Sequence, residues 1–233
     1  ERIMMFTQTV DLAKTSVRTL NQRLHELNAE PDEERWRILN PRGAHAIACG
    51  LRVPVTVEIE GHAGYYCAGM NQKATVIVHG NVATGVAENM MSGIVHVNGN
   101  ASQCAGATAH GGLLVVEGDA SARCGISMKG IDIVVKGSVG HMSAFMAQTG
   151  NLVVCGDAGD ALGDSVYEAR LFVRGKVKSL GTDCIEKEMR REHLEILETL
   201  LKRAGCDARP EEFKRYGSAR RLYHFQIDNA GLY

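Results

Sequence analysis

The chain has 233 residues, 45% of them apolar, with a formal net charge of −1 and a pI near 6.8. That composition supports a sizeable core, as one rod with terminal caps rather than two globular domains, and the balanced charge excludes electrostatic attraction to nucleic acid or an anionic membrane. Seven cysteines without a CxxC pair fit a reducing cytoplasm.

No signal peptide is visible in a chain that begins at Glu1. The longest stretch free of Asp, Glu, Lys and Arg, Asn89 to Val116, is too rich in Gly, Asn, Ser, Thr and His to span a bilayer. A cytoplasmic protein without membrane contact is expected.

Residues 1–52 read as an N-terminal cap of strand, helix and turn. Thr7 to Leu12 suits a short strand, and Ser16 is placed to cap a helix whose apolar face is Val17, Leu20, Leu24 and Leu27, closed by Pro31. Trp36, Ile38 and the turn Asn40-Pro41-Arg42-Gly43 lead onward. Such a segment would cover the open end of a rod, whose exposed sheet edge would otherwise pair with other chains.

Residues 53–179 repeat with a period of 19. Glycine recurs at Gly61, Gly80, Gly99, Gly118, Gly137, Gly156 and Gly175 without an insertion. The residues two and four before each are aliphatic, from Val57 and Ile59 to Leu171 and Val173, and small residues hold the positions two and seven after. A constant period means stacked units that cannot bury their apolar face alone. Each unit has one strand and no second segment of helical length, which excludes leucine-rich, ankyrin and tetratricopeptide arrays. The predicted fold is an all-β solenoid, a right-handed parallel β-helix of about seven 19-residue coils, flanked by short helical segments. Glycine at each strand exit predicts a positive φ there.

Residues 180–233 change character. Asp183 with Glu186 reads as a capping box opening a helix, with Ile185, Met189, Ile196, Leu197, Leu200, Leu201 and Ala204 on one face and Gly205 as its stop. Beyond it, Phe213, Tyr216, Arg220, Arg221, Tyr223, Phe225 and Tyr233 have the composition of interface anchors and form the candidate partner-docking surface.

No GxGxxG after a strand, Walker loop, HExxH or GxSxG occurs, so no catalytic, cofactor-binding or metal-ligating residue is assigned. Cys67 and Cys124 share a phase three coils apart, too far for one metal, and Cys104 lies one phase from Cys124. Buried small residues are the expected reading. His79 and His96 lie on adjacent coils, where a solvated or hydrogen-bonded pair is expected in preference to a metal site. Asn81, Asn100, Asp119, Ser138 and Asp157, each directly after its glycine, should bond to a neighbouring coil's backbone. Met70, Met90, Met128 and Met146 fall nine or ten past their glycines, as a core corner or an adaptable contact stripe.

The segments Gly64-Tyr65-Tyr66-Cys67-Ala68-Gly69-Met70-Asn71 and Gly140-His141-Met142-Ser143-Ala144-Phe145-Met146 resemble the GXGXG β-helix family, which closes the large subunit of glutamate synthase and recurs in formylmethanofuran dehydrogenase. The whole chain resembles the free-standing β-helix subunit of N-methylglutamate synthase, through Gly85 to Gly93, Gly125 to Gly130, Arg215 to Arg220 and Asp228-Asn229-Ala230-Gly231. That resemblance implies a non-catalytic scaffold in a hetero-oligomer that converts methylamine and glutamate to N-methylglutamate and ammonia. The implied partners are a class II glutamine amidotransferase-like subunit and a glutamate synthase-like subunit carrying FMN and an iron–sulfur cluster, with no cofactor in this chain. The chain agrees, since it lacks an N-terminal cysteine nucleophile and a clustered iron–sulfur ligand set. Two alternatives stay open: a structural subunit of a glutamate synthase or formylmethanofuran dehydrogenase complex, and a stand-alone β-helix enzyme such as a lyase or acyltransferase. The latter class displays a carboxylate or histidine cluster or a six-residue period, and neither is visible.

Overall fold

A computed structural model describes residues 6–28 and 34–222. Its strands are β1 (Gln8–Asp11), β2 (Arg35–Leu39), β3 (Thr56–Ile59), β4 (Thr75–Val78), β5 (Ile94–Val97), β6 (Leu113–Val116), β7 (Lys129–Val135), β8 (Thr149–Val154), β9 (Arg170–Val173), β10 (Cys184–Lys187) and β11 (Lys214–Ser218). The helices are α1 (Val17–His25) and α2 (Arg191–Arg203). All strands join one sheet in the order β1 to β9, then β11, then β10.

β1 through β9 pair in parallel, and from β3 to β9 the partners lie 19 residues on, Val57 opposite Val76, Val76 opposite Val95, and so to Leu171, save Lys129 opposite Thr149 at a register shift in β7. The described residues therefore form a parallel β-solenoid of seven 19-residue coils with two short α-helices. The inward residues of these strands, such as Val57, Val76, Val95, Leu114 and Ile133, are fully buried in one continuous core. A second file of bridges, Ala63–Val82–Ala101–Ala120–Val139–Ala158–Val177, runs along another side of the coil. Small and β-branched residues suit it because successive coils approach at the strand spacing of about 4.8 Å.

The sheet runs past both ends of the regular repeat. β1 pairs with β2 and β2 with β3, so the segment read as a cap supplies the first two rungs. α1 interrupts them: the Ser16 side chain accepts from the Thr19 N–H, and Leu20 and Leu24 are buried in the common core. Asn21 ties α1 to the first corner, donating to the Ala46 carbonyl and accepting from the Ala48 N–H. Pro31 lies outside the described residues.

The other end corrects the predicted helix. Residues 184–187 form β10 and α2 begins only at Arg191. β10 pairs antiparallel with β11, which pairs antiparallel with β9. Asp183 does not open a helix: its carboxylate accepts from Ser218 Oγ and the Arg221 N–H. The apolar signal of Ile185 belongs to a strand at the sheet edge, where the residue is exposed, and a two-strand return ends the parallel stack. Gly205, at φ +61°, follows α2 as expected.

The repeat glycines correct a second expectation. Gly61 alone of the seven has a positive φ. The others are required by space: a Cβ at Gly80 would lie 2.7 Å from the Gly61 carbonyl carbon, and at Gly156 equally close to that of Gly137. Directly beside them stands the polar file. Asn81 accepts from the Asn100 N–H, Asn100 from Asp119, Asp119 from Ser138, Ser138 from Asp157 and Asp157 from Lys176, all between 2.7 and 2.9 Å. From Gly99 to Gly175 glycine and polar file are one device, because the Cβ that each of these glycines lacks would occupy the space of the accepting oxygen one coil back. Positive φ falls instead at the corner, five, seven and nine residues after each glycine from Gly61 to Gly156, as at Cys104, Gly106 and Thr108. The middle position is always Ala or Gly, from Ala68 to Gly163, since a buried left-handed site tolerates little else.

Candidate functional site

With the inner face consumed by the core, chemistry is left to the outer face of the sheet and to the corners. Along the central outward file, Arg37, Glu58, Ile77 and His96 are successive partners, followed by Val115, Val134, Val153 and Phe172. The face is thus polar over the early coils and apolar over the late ones. α2 covers the apolar half, burying Leu197, Leu200, Leu201 and Ala204 with Phe213 against Leu113, Val115, Val134, Val153 and Phe172.

The polar half is knitted by charge. Arg35 grips Glu58 from one side, and His79 Nε2 meets Glu58 Oε2 at 2.8 Å from the other. Arg37 pairs with Glu60 at 2.8 Å. His79 Nδ1 lies 2.9 Å from the Asn98 amide, while His96 Nε2 contacts Glu117, which also pairs with Lys136 at 2.8 Å. His79 and His96 therefore do not pair with each other; each takes a glutamate from a neighbouring coil. Glu58, Glu60 and His79 could present ligand atoms within 4.8 Å of one another. The two arginines already supply the positive charge that a metal would bring, so the cluster is complete as an ion-pair network.

Burial by itself would raise the Glu58 carboxyl, but hydrogen bonds from His79 and Arg35 outweigh it and hold the group below its ordinary value of 4.5. A carboxyl depressed in the fold contributes stability that is present above the unfolded value and lost as pH falls through the folded one. The protein is expected to weaken below about pH 4.5, and Glu58→Gln to flatten part of that slope in acid-unfolding titrations. An unchanged slope would remove Glu58 from the account.

Four of the seven thiols are inert in kind. Cys67, Cys124, Cys155 and Cys184 are buried, and burial pushes Cys124, Cys155 and Cys184 up to about 12 and raises Cys67 as well. A thiolate is the nucleophile and metal ligand, and none of these forms one near neutral pH. Cys155 Sγ lies 3.4 Å from Cys206 Sγ where α2 returns to the sheet, a proximity that residues 51 apart do not announce.

The predicted docking residues divide. Phe213 and Tyr216 are corrected to core positions: Phe213 packs beneath α2, and Tyr216, paired with Leu171 across β11 and β9, joins the main core. Arg220 and Arg221 are exposed, Arg220 bonding Glu168 at 2.6 Å. Tyr223, Phe225 and Tyr233, and the motif Asp228 to Gly231, lie outside the described residues. Leu222, next to Arg221, is exposed, and a separate group of exposed apolar side chains, Tyr65, Tyr66 and Met70, stands half-exposed at the corner that follows Gly61, with Met91 near them in exposure. Tyr65 stacks on His45 with centroids 4.5 Å apart. The signal for them was present, since at the Tyr66 phase the other coils carry Gly85, Cys104, Arg123, Met142 and Ala161. The methionines split by one residue: Met90 and Met128, ten past their glycines, are fully buried, while Met70, nine past, is exposed.

Protein GlxC of Rhizobium meliloti (strain 1021) is 64% identical to this chain over 225 residues, covering 96% of the chain and 99% of that protein. No protein-family model matches the chain, and no solved structure matches it. Among the described residues no helix is long and apolar enough to cross a membrane.

Proposed function

The chain belongs to the family of Protein GlxC, and from that footing we propose that it is the non-catalytic scaffold subunit of a cytoplasmic, heteromeric glutamate-synthase-like enzyme, N-methylglutamate synthase. In this reading it holds an amidotransferase-like subunit and an FMN, iron–sulfur subunit in fixed relation, while methylamine and glutamate become N-methylglutamate and ammonia. The resemblance of the repeat and the tails supplies the reaction. The observation that carries the scaffold role is the fate of the reactive side chains. The carboxylates and imidazoles of the outer face are engaged in ion pairs and hydrogen bonds with one another, and four thiols are buried and protonated. A rod of stacked coils with little internal freedom supports the same role, because fixing two catalytic centres raises the effective concentration of what passes between them. The half-exposed Tyr65, Tyr66 and Met70 offer rigid apolar contact of the kind that anchors partners.

The test compares the lone chain with the reconstituted complex. The purified chain is expected to be colourless and to turn over no methylamine with glutamate, and the two partner subunits are expected to lose most activity when it is omitted. Stoichiometric FMN on the lone chain, or full activity without it, would overturn the proposal.

A further inference from the structure

At the β9, β11 and β10 end of the sheet, the start of α2 and the segment leading into β9 border a half-open cavity of about 330 Å³. Five cationic side chains stand in its wall, Arg170, Lys187, Arg190, Arg215 and Arg220, against the two carboxylates Glu168 and Glu192. Local pairing leaves much of that charge uncompensated. Arg220 pairs with Glu168, and Arg190 reaches Glu188 at 3.3 Å in an exposed contact. Lys187 Nζ donates to the Ser218 carbonyl at 2.8 Å, and Arg215 donates twice to the Glu188 carbonyl at 3.0 and 2.8 Å. Neither Lys187 nor Arg215 forms an ion pair among the described residues, and the Arg170 side chain has no ion pair or hydrogen bond there.

The wall gathers like charge, part of it buried and part of it open to solvent. Burial first, then the neighbouring arginines, lowers both Lys187 and Arg215 from their ordinary values. His193, buried at the same wall, is lowered by burial and by Arg215. Its Nδ1 accepts from the Arg190 N–H at 3.1 Å, which puts the proton of the neutral ring on Nε2. Like charges gathered in a concave, partly desolvated wall focus a positive potential into it, and arginine forks match planar or tetrahedral oxyanions. A second feature limits what fits: Glu168 Oε1 is buried and has no hydrogen-bond partner among the described residues. An occupant that satisfies the wall brings anionic oxygens for the arginines and one donor for Glu168.

We infer that this cavity binds a small oxyanion, a carboxylate or phosphate compound that carries a hydroxyl or other hydrogen-bond donor beside its charge. Calorimetric titration of the full chain with inorganic phosphate, malate and succinate tests it. Binding of phosphate or malate is expected, weakening as sodium chloride is raised, and weakening about tenfold in the variant Arg170→Gln/Arg190→Gln, which removes two exposed cations of the wall. Phosphate without malate assigns a phosphate compound, and malate without phosphate a carboxylate. Malate tighter than succinate supports the role of Glu168, and equal affinity overturns that donor requirement. Absence of binding by phosphate and malate at millimolar concentration, or an affinity unchanged in the variant, overturns the site. The scaffold proposal does not enter this measurement, so the two can fail separately.

Discussion

Alanine in place of Gly137 is expected to destabilise the protein by about 3 kcal/mol, whereas alanine at Gly205 should cost about 1 kcal/mol. The new Cβ at Gly137 would stand 2.7 and 2.8 Å from the carbonyl oxygen and carbon of Gly118, and would intrude on Asp119 Oδ1. Backbone cannot swing aside as a flexible side chain can, so two coils must part, and the bond from the Ser138 N–H to Asp119 at 2.7 Å is lost with them. At Gly205 nothing lies within 4 Å, and only its φ of +61° resists a side chain. For a chain of this size the Gly137 variant should melt roughly 6–12 °C lower. Faster amide exchange should be confined to the flanking coils, because each coil of a solenoid contacts only its neighbours. Equal losses at the two glycines, by urea unfolding, would mean that conformation and not close stacking governs the repeat.

Phe172→Ala should be the costliest single truncation beneath α2, at about 4 kcal/mol. The ring is fully buried on the outer face of β9, in the cluster that α2 completes. Only partial collapse is open to its surroundings, since the sheet on one side is held by parallel pairing to β8. The loss should fall on the union of helix and sheet rather than on the coil itself. Cys155, buried in the same cluster beside Cys206, should therefore react with thiol reagents faster than in the wild type. A loss under about 1 kcal/mol with unchanged thiol reactivity would mean that α2 rests on the sheet without contributing to its stability.

Local regularity explains why so much of the rod was readable. A 19-residue period with aliphatic residues two and four before each glycine specifies strand, register and inward face at once, because parallel stacking places equivalent residues opposite one another. Ser16 and Gly205 mark helix ends by local bonding or local φ, and both stand where expected. The misreadings share a cause. Asp183 and Glu186 have helix-opening spacing, but the pairing of β10 with β11, whose residues lie some 30 positions apart, overrides local preference. Phe213 and Tyr216 look like anchors until α2 and β9 are seen to cover them. The approach of Cys155 to Cys206 and the five cations of the terminal cavity likewise join segments with no common period.

From sequence alone, then, the solenoid, its coil length, its buried files and the structural role of the Asx ladder were determined, since each follows from residues repeated at one spacing. The tertiary structure decided why glycine is required at the strand exits, which half of the outer face stays polar, and where unbalanced charge collects. Those depend on how closely neighbouring coils approach and on where the non-repeating ends fold back, and neither distance is encoded in any single stretch of chain.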